Sequence, residues 1–160
     1  MFKLSQKGTL FNLKIETLAQ NCINAIKNGN RIFCAGNGGS AMMSNHFCAE
    51  LVGKFKQDRR ALSAISLTND IASITAIAND YSYSEVFTRQ LEAHSKAGDI
   101  FITLSTSGKS ENILKALKWA KNNGLVAVDF ERIGDSTPEI QENQLVALHE
   151  VAKIIEEAFV

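Results

Sequence analysis

His46 and Glu50 stand four residues apart in NHFCAEL, a spacing that sets two side chains on one face of a helix. An imidazole and a carboxylate so arranged can act as acid and base toward one bound molecule. On an arbitrary helix such a pair is more often a solvated couple. Here it follows directly on a glycine-rich loop, GNGGS, which changes the reading. A second histidine, His149, adjoins Leu148 in the apolar pattern of the last helix, where a histidine is more often a satisfied core residue than a catalyst.

Two polar loops could hold the ligand. GNGGSA fits G-x-G-x-x-A at Gly36, Gly38 and Ala41, the outline of a dinucleotide loop. That fingerprint also needs an acidic residue at the end of the next strand, and Asp70 in SLTND is poorly spaced for the role. STSGKS imitates the end of a Walker A loop at Gly108, Lys109 and Ser110, but Thr103 stands where the leading glycine is required. What STSGKS offers is four hydroxyls, on Ser105, Thr106, Ser107 and Ser110, beside a glycine at a helix start. Hydroxyls and unpaired backbone N–H groups there form an anion cradle. A cap needs fewer hydroxyls than that, so phosphate is the favoured ligand.

These loops must be held by a framework. Apolar positions from Leu13 to Ile26 predict an amphipathic helix over about 10–27, ended by NGN. RIFCA reads as a buried strand, and Ser40 is the expected N-cap of a helix to Val52. A second strand is expected at Leu62–Ser66 and a short helix, capped by Asn69 or Asp70, through Ile77. A helix from Ser84 to Ser95, a strand DIFITLS, a helix from Ser110 to Asn122, a strand LVAVDF and a last helix at about 138–159 complete the chain. Alternating strands and helices predict an α/β fold with a mostly parallel sheet flanked by helices, a flavodoxin-like three-layer arrangement. Both polar loops follow strands and precede helices, so they share one sheet edge.

Composition narrows the functions further. The 160 residues predict one domain spanning 1–160, and 45% hydrophobic with 21% charged residues is ordinary for a globular chain. The formal net charge of zero leaves no footprint for nucleic acid or an anionic membrane. No apolar run is long enough to span a bilayer, and MFKLSQKGTLFNLK has no long apolar core of a signal peptide, so a cytoplasmic protein is expected. Cys22, Cys34 and Cys48 are odd in number and lack CxxC spacing, and are expected to be buried free thiols.

GNGGS, HFCAEL, the AND of Ala78–Asp80, STSGKS and TPEIQENQLVALH occur in an order that resembles sugar isomerase (SIS) domains, and most of all the phosphoheptose isomerases. The resemblance runs from about Arg31 to the end. It implies a single SIS domain that isomerises sedoheptulose 7-phosphate and D-glycero-D-manno-heptose 7-phosphate through an enediol, at the start of heptose synthesis for bacterial envelope glycans. It implies Glu50 and His149 as the catalytic pair. Asn37, Gly38, Ser40, Asp80 and Gln141 would contact substrate, with Ser105, Thr106, Ser107 and Ser110 around its phosphate. It implies zinc on positions matching His46, Glu50, Gln141 and His149, no nucleotide cofactor, and a homotetramer with sites between subunits. Because Gln141 and His149 lie about 12 Å apart along one helix, helices of different subunits are expected to converge if both serve one site with Glu50. Glu139 replaces an arginine usual in the family. Only ERIGDS separates VAVDF from TPEIQ, where the family has a further helix and strand, so the stretch near 129–136 is expected to be shortened or incomplete. A non-catalytic SIS protein, a sugar-phosphate sensor or a binder of the replication initiator, is the alternative. The initiator-binding relative lacks the glutamate and histidine that this chain has.

Overall fold

The computed structural model describes residues 9–160. Four strands, β1 (Ile32–Gly36), β2 (Ala64–Ser66), β3 (Ile100–Leu104) and β4 (Val126–Asp129), form a parallel sheet in the order β2-β1-β3-β4. Six α-helices accompany them: α1 (Thr9–Lys27), α2 (Gly39–Val52), α3 (Ile71–Asp80), α4 (Thr88–His94), α5 (Glu111–Asn122) and α6 (Thr137–Glu157). The expected α/β fold with a parallel sheet flanked by helices is thus the observed one.

β1 and β3 are buried along their whole length, which is why both read as continuous apolar runs rather than alternating ones. Ile32, Cys34, Ile100 and Ile102 face a core shared with α1, α2 and α6. Phe33 and Phe101, paired in register, face the opposite core with α5 and the 83–91 segment. The sheet is therefore covered on both sides. Cys22, Cys34 and Cys48 are free and buried as expected, and burial pushes the Cys22 thiol up to about 12.

Several local expectations are corrected. The helix expected over 84–95 is a 3-10 turn at Tyr83–Glu85 followed by the short α4. Val86 and Phe87, between the two, are both buried in the core. Ser40 does not cap α2: Gly38 holds that position with φ of 56°, a conformation glycine adopts without strain, and Ser40 is buried in the first turn. Asp70 does cap α3, accepting from the Ser73 N–H at 3.1 Å. Leu13, included in the apolar stripe of α1, is 56% exposed.

From β4 the chain reaches α6 through residues 130–136. The Ile133 carbonyl accepts from Asn143 Nδ2 at 2.8 Å, and Glu139 Oε2 accepts from the Asp135 N–H at 2.9 Å. Ser136 caps α6 and Pro138 sits in its first turn, where its missing N–H costs no hydrogen bond.

Candidate active site

The strand order reverses direction between β1 and β3, and the loops leaving their carboxyl ends are 37–38 and 105–110. Ligands bind at such a switch point in open parallel sheets. A cavity of about 230 Å³ lies there, lined by Asn37, Ser40, Ser105, Thr106, Ser107, Ser110 and Gln141 among others. The residues proposed from the two loops are thus brought together with one from the last helix. Gly38 adjoins them as the α2 cap. Asp80 does not join them: it is exposed at the end of α3, where it accepts from Asn79 Nδ2 at 2.8 Å. A more apolar groove of similar volume, between α1 and the end of β4, contains none of these hydroxyls.

The 105–110 loop is shaped by its own side chains. Ser105 Oγ accepts from the Gly108 N–H at 3.0 Å, and Ser107 Oγ from the Lys109 N–H at 3.1 Å. Gly108 has φ of 64°, and the Arg132 guanidinium fills the space a Cβ would need, 2.5 Å from that position. Arg132 is paired with the Asp129 carboxylate. Gln144, buried in α6, donates to the Glu131 carbonyl at 3.0 Å and toward the Ser105 carbonyl at 3.4 Å. Asn37 is held by a reciprocal amide pair with the buried Asn112, both bonds at 2.9 Å, and by the Tyr83 hydroxyl at 2.9 Å. Arg132, Gln144 and Asn112 escape the sequence reading, since each acts on a partner distant in the chain or, like Arg132, in a loop without periodicity.

α2 and α6 run side by side in the same direction. Gly39 meets Gln141, His46 meets His149, and the residues just after α2 meet Glu156. His46 Nε2 lies 3.0 Å from His149 Nε2 and 3.1 Å from Glu50 Oε1. Burial, and after it the neighbouring His46, holds the His149 imidazole below its ordinary value. The Phe55 ring packs 5.4 Å from that of His149, centre to centre.

His46, Glu50 and His149 of one chain thus converge without help from a second. Their ligand atoms all lie within 4.8 Å of one another, so this His/Glu group can hold a metal ion. Two imidazoles and a carboxylate are a donor set that suits a divalent transition metal with an open position. Gln141 is elsewhere: its amide lies against Gly39, about two helical turns from His149.

A parallel sheet with two polar, glycine-bearing loops at its switch point, and a His/Glu cluster further along α2 and α6, defines the class. The model of the SIS domain family matches residues 5–128. The chain belongs to that family and, within it, to the phosphoheptose isomerases. It is 43% identical to a phosphoheptose isomerase of a Nitratiruptor species, covering 91% of this chain and 86% of that one. A phosphoheptose isomerase structure from Francisella tularensis superposes with a TM-score of 0.87 at 28% identity, covering 96% of this chain and 88% of that one. One from Neisseria gonorrhoeae gives a TM-score of 0.81 at 30% identity, covering 89% and 85%. Among the described residues no helix is long and apolar enough to cross a membrane.

Proposed function

We propose that this chain interconverts sedoheptulose 7-phosphate and D-glycero-D-manno-heptose 7-phosphate, as a cytoplasmic enzyme of bacterial heptose synthesis for envelope glycans. The observation that carries this reading is the parallel pair α2 and α6. Their N-terminal ends border the anion cavity through Ser40, Thr137 and Gln141, and the same helices carry Glu50 and His149 further along. A phosphate held at one end leaves an extended sugar chain to reach the acid–base pair at the other. The phosphate then orients the reacting carbons by binding energy far from the chemistry.

Isomerisation moves a proton between C1 and C2 and a second between the two oxygens. Glu50 takes the carbon proton from C2 of the aldose, giving the enediol, and returns it at C1. His149, kept neutral by its partial burial, passes the proton between the oxygens. His46, Glu50 and His149 would hold zinc, which when bound polarises the substrate's oxygens. No nucleotide cofactor enters this chemistry.

The helix α3 supports assembly into a homotetramer. Its sequence IASITAIAND is apolar, yet none of its residues is buried, and Ile71 is 73% exposed. Such a face on a single chain suits a contact with another copy, and Asp80 at its end would then approach a substrate from a neighbouring subunit.

A coupled assay with sedoheptulose 7-phosphate tests the reading, together with Glu50→Gln. That variant keeps the shape and removes the base, so turnover is expected to fall about 10²–10⁴-fold or more. Solvent deuterium should no longer enter C1 or C2. Near-normal turnover in the variant sinks the assignment, and tight sugar-phosphate binding without turnover in the wild type favours the non-catalytic sensor.

A further inference from the structure

We propose that Arg59 and Glu156 form a latch that sets the position of Glu50 relative to His149. This rests on reading those two residues as the acid–base pair.

The end of α2 leaves carbonyls without partners inside the helix. Arg59 takes two of that region: Nη2 donates to the Glu50 carbonyl at 2.6 Å, and Nη1 to the Gly53 carbonyl at 2.7 Å. The Arg59 side chain is 0% exposed, and its Nε has no hydrogen-bond partner among the described residues. The group facing Nε is the Glu156 carboxylate, 3.9 Å away and 2% exposed. That carboxylate in turn accepts three consecutive backbone N–H groups, from Phe55 and Lys56 at 2.8 Å and from Gln57 at 3.0 Å. Successive N–H groups gathered on one anion form a rigid cradle.

The connection matters because of what lies at each end. Arg59 grips the backbone of Glu50 itself. Glu156 lies seven residues beyond His149 on α6, about two turns along the same face. Between them, the loop carries Phe55 against the His149 ring. The helix bearing the carboxylate and the helix bearing the imidazole are therefore joined through one buried charged pair. Stability alone is a poor account of that pair, because buried ion pairs are often no better than apolar residues of the same volume. Geometry is a better one, since a shift of about 1 Å in a reacting group can cost 10²-fold in rate. Lysine cannot replace Arg59, because a single ammonium lacks the planar fork that spans two carbonyls.

Arg59→Lys, Arg59→Met and Glu156→Gln test the latch, each studied well below its own unfolding temperature. We expect kcat to fall about 10- to 100-fold, with KM and inhibition by inorganic phosphate within about twofold of wild type, since the anion cavity is at the far end of both helices. The double variant Arg59→Met/Glu156→Gln should cost no more in kcat than the worse single change, because the two act as a unit. A second readout needs no turnover: the proton–proton NOE between the His46 and His149 rings should weaken in every variant. Lowered unfolding temperature with unchanged kcat overturns the proposal, as does an equal loss of phosphate inhibition. If the wild type shows no isomerisation, the functional reading fails, and the NOE alone decides whether the latch sets the spacing. An NOE unchanged in folded variants refutes it.

Discussion

His46 Nε2 lies 3.0 Å from His149 Nε2, joining side chains 103 residues apart in sequence. At this separation one ring must donate if the two are hydrogen-bonded, and two protonated rings would repel. A cation between them and Glu50 would use both lone pairs at once. Chelator-treated protein is therefore expected to bind zinc, with His46→Ala or His149→Ala weakening it by about 100-fold or more. Competition with a chromophoric chelator measures this. Equal affinity in wild type and both variants would remove the metal from the site.

The anion loop makes a separable prediction. Ser105 and Ser107 use their hydroxyl oxygens to fix the backbone at Gly108 and Lys109. Their hydroxyl protons remain available to a phosphate. Ser105→Ala or Ser107→Ala should cost about 1.5–3 kcal/mol of binding if the bond is to a charged oxygen. KM and the inhibition constant for inorganic phosphate should rise together, with kcat less affected. Phosphate that inhibits wild type and both variants equally would mean that it binds elsewhere.

Two glycines of GNGGS should behave differently when changed to alanine. A Cβ on Gly36 would lie 2.5 Å from the Ser40 carbonyl oxygen, in the backbone of the first turn of α2. That turn cannot yield cheaply, so Gly36→Ala should destabilise the fold by about 1–3 kcal/mol. A Cβ on Gly39 would meet Gln141 Nε2 at 2.6 Å, the end of a flexible side chain. Gly39→Ala should therefore keep most of its stability and raise KM by displacing Gln141 from the cavity. Thermal unfolding and steady-state kinetics on the pair distinguish these outcomes, and the opposite assignment would show that Gln141 takes no part in binding.

What could be read from the sequence follows the range of the forces involved. β1 and β3 were legible because burial on both faces leaves continuous apolar runs. Their loops were legible because glycine and hydroxyl residues stand beside them, and the parallel sheet then had to bring Asn37 and Ser105 to one edge. The groups that hold these residues left no such trace. Asn112 reaches Asn37 across 75 residues, and Glu156 reaches Phe55 across 101. An isolated asparagine or glutamate on a helix looks solvated until its partner is known. That His46, Glu50 and His149 meet within one chain while Gln141 stands apart is illegible for a related reason. Helical rise separates Gln141 from His149, but it says nothing about which neighbouring helix each one meets. Parallel packing of α2 against α6 lets Gln141 meet the start of α2 and His149 its middle.

The buried carboxylate of Glu156 ties the fold to pH. Burial pushes its pKa up, but the N–H groups of Gln57, Lys56 and Phe55, with Arg59, outweigh that and hold it below the ordinary value of 4.5. In the unfolded chain the same group regains its ordinary value. The folded state thus binds its proton only at lower pH, and the stabilisation is complete above 4.5. It is lost as pH falls through the folded value. Thermal unfolding of wild type and Glu156→Gln, followed from neutral pH downward, isolates this contribution. The wild type should unfold at the higher temperature at neutral pH, because glutamine cannot accept all three N–H groups and leaves Arg59 without its counter-ion. The gap should narrow below 4.5, as the wild-type carboxyl takes up its proton and comes to resemble the amide. A gap that stays constant across the range would mean that Glu156 contributes by packing, and that its charge does not hold the loop.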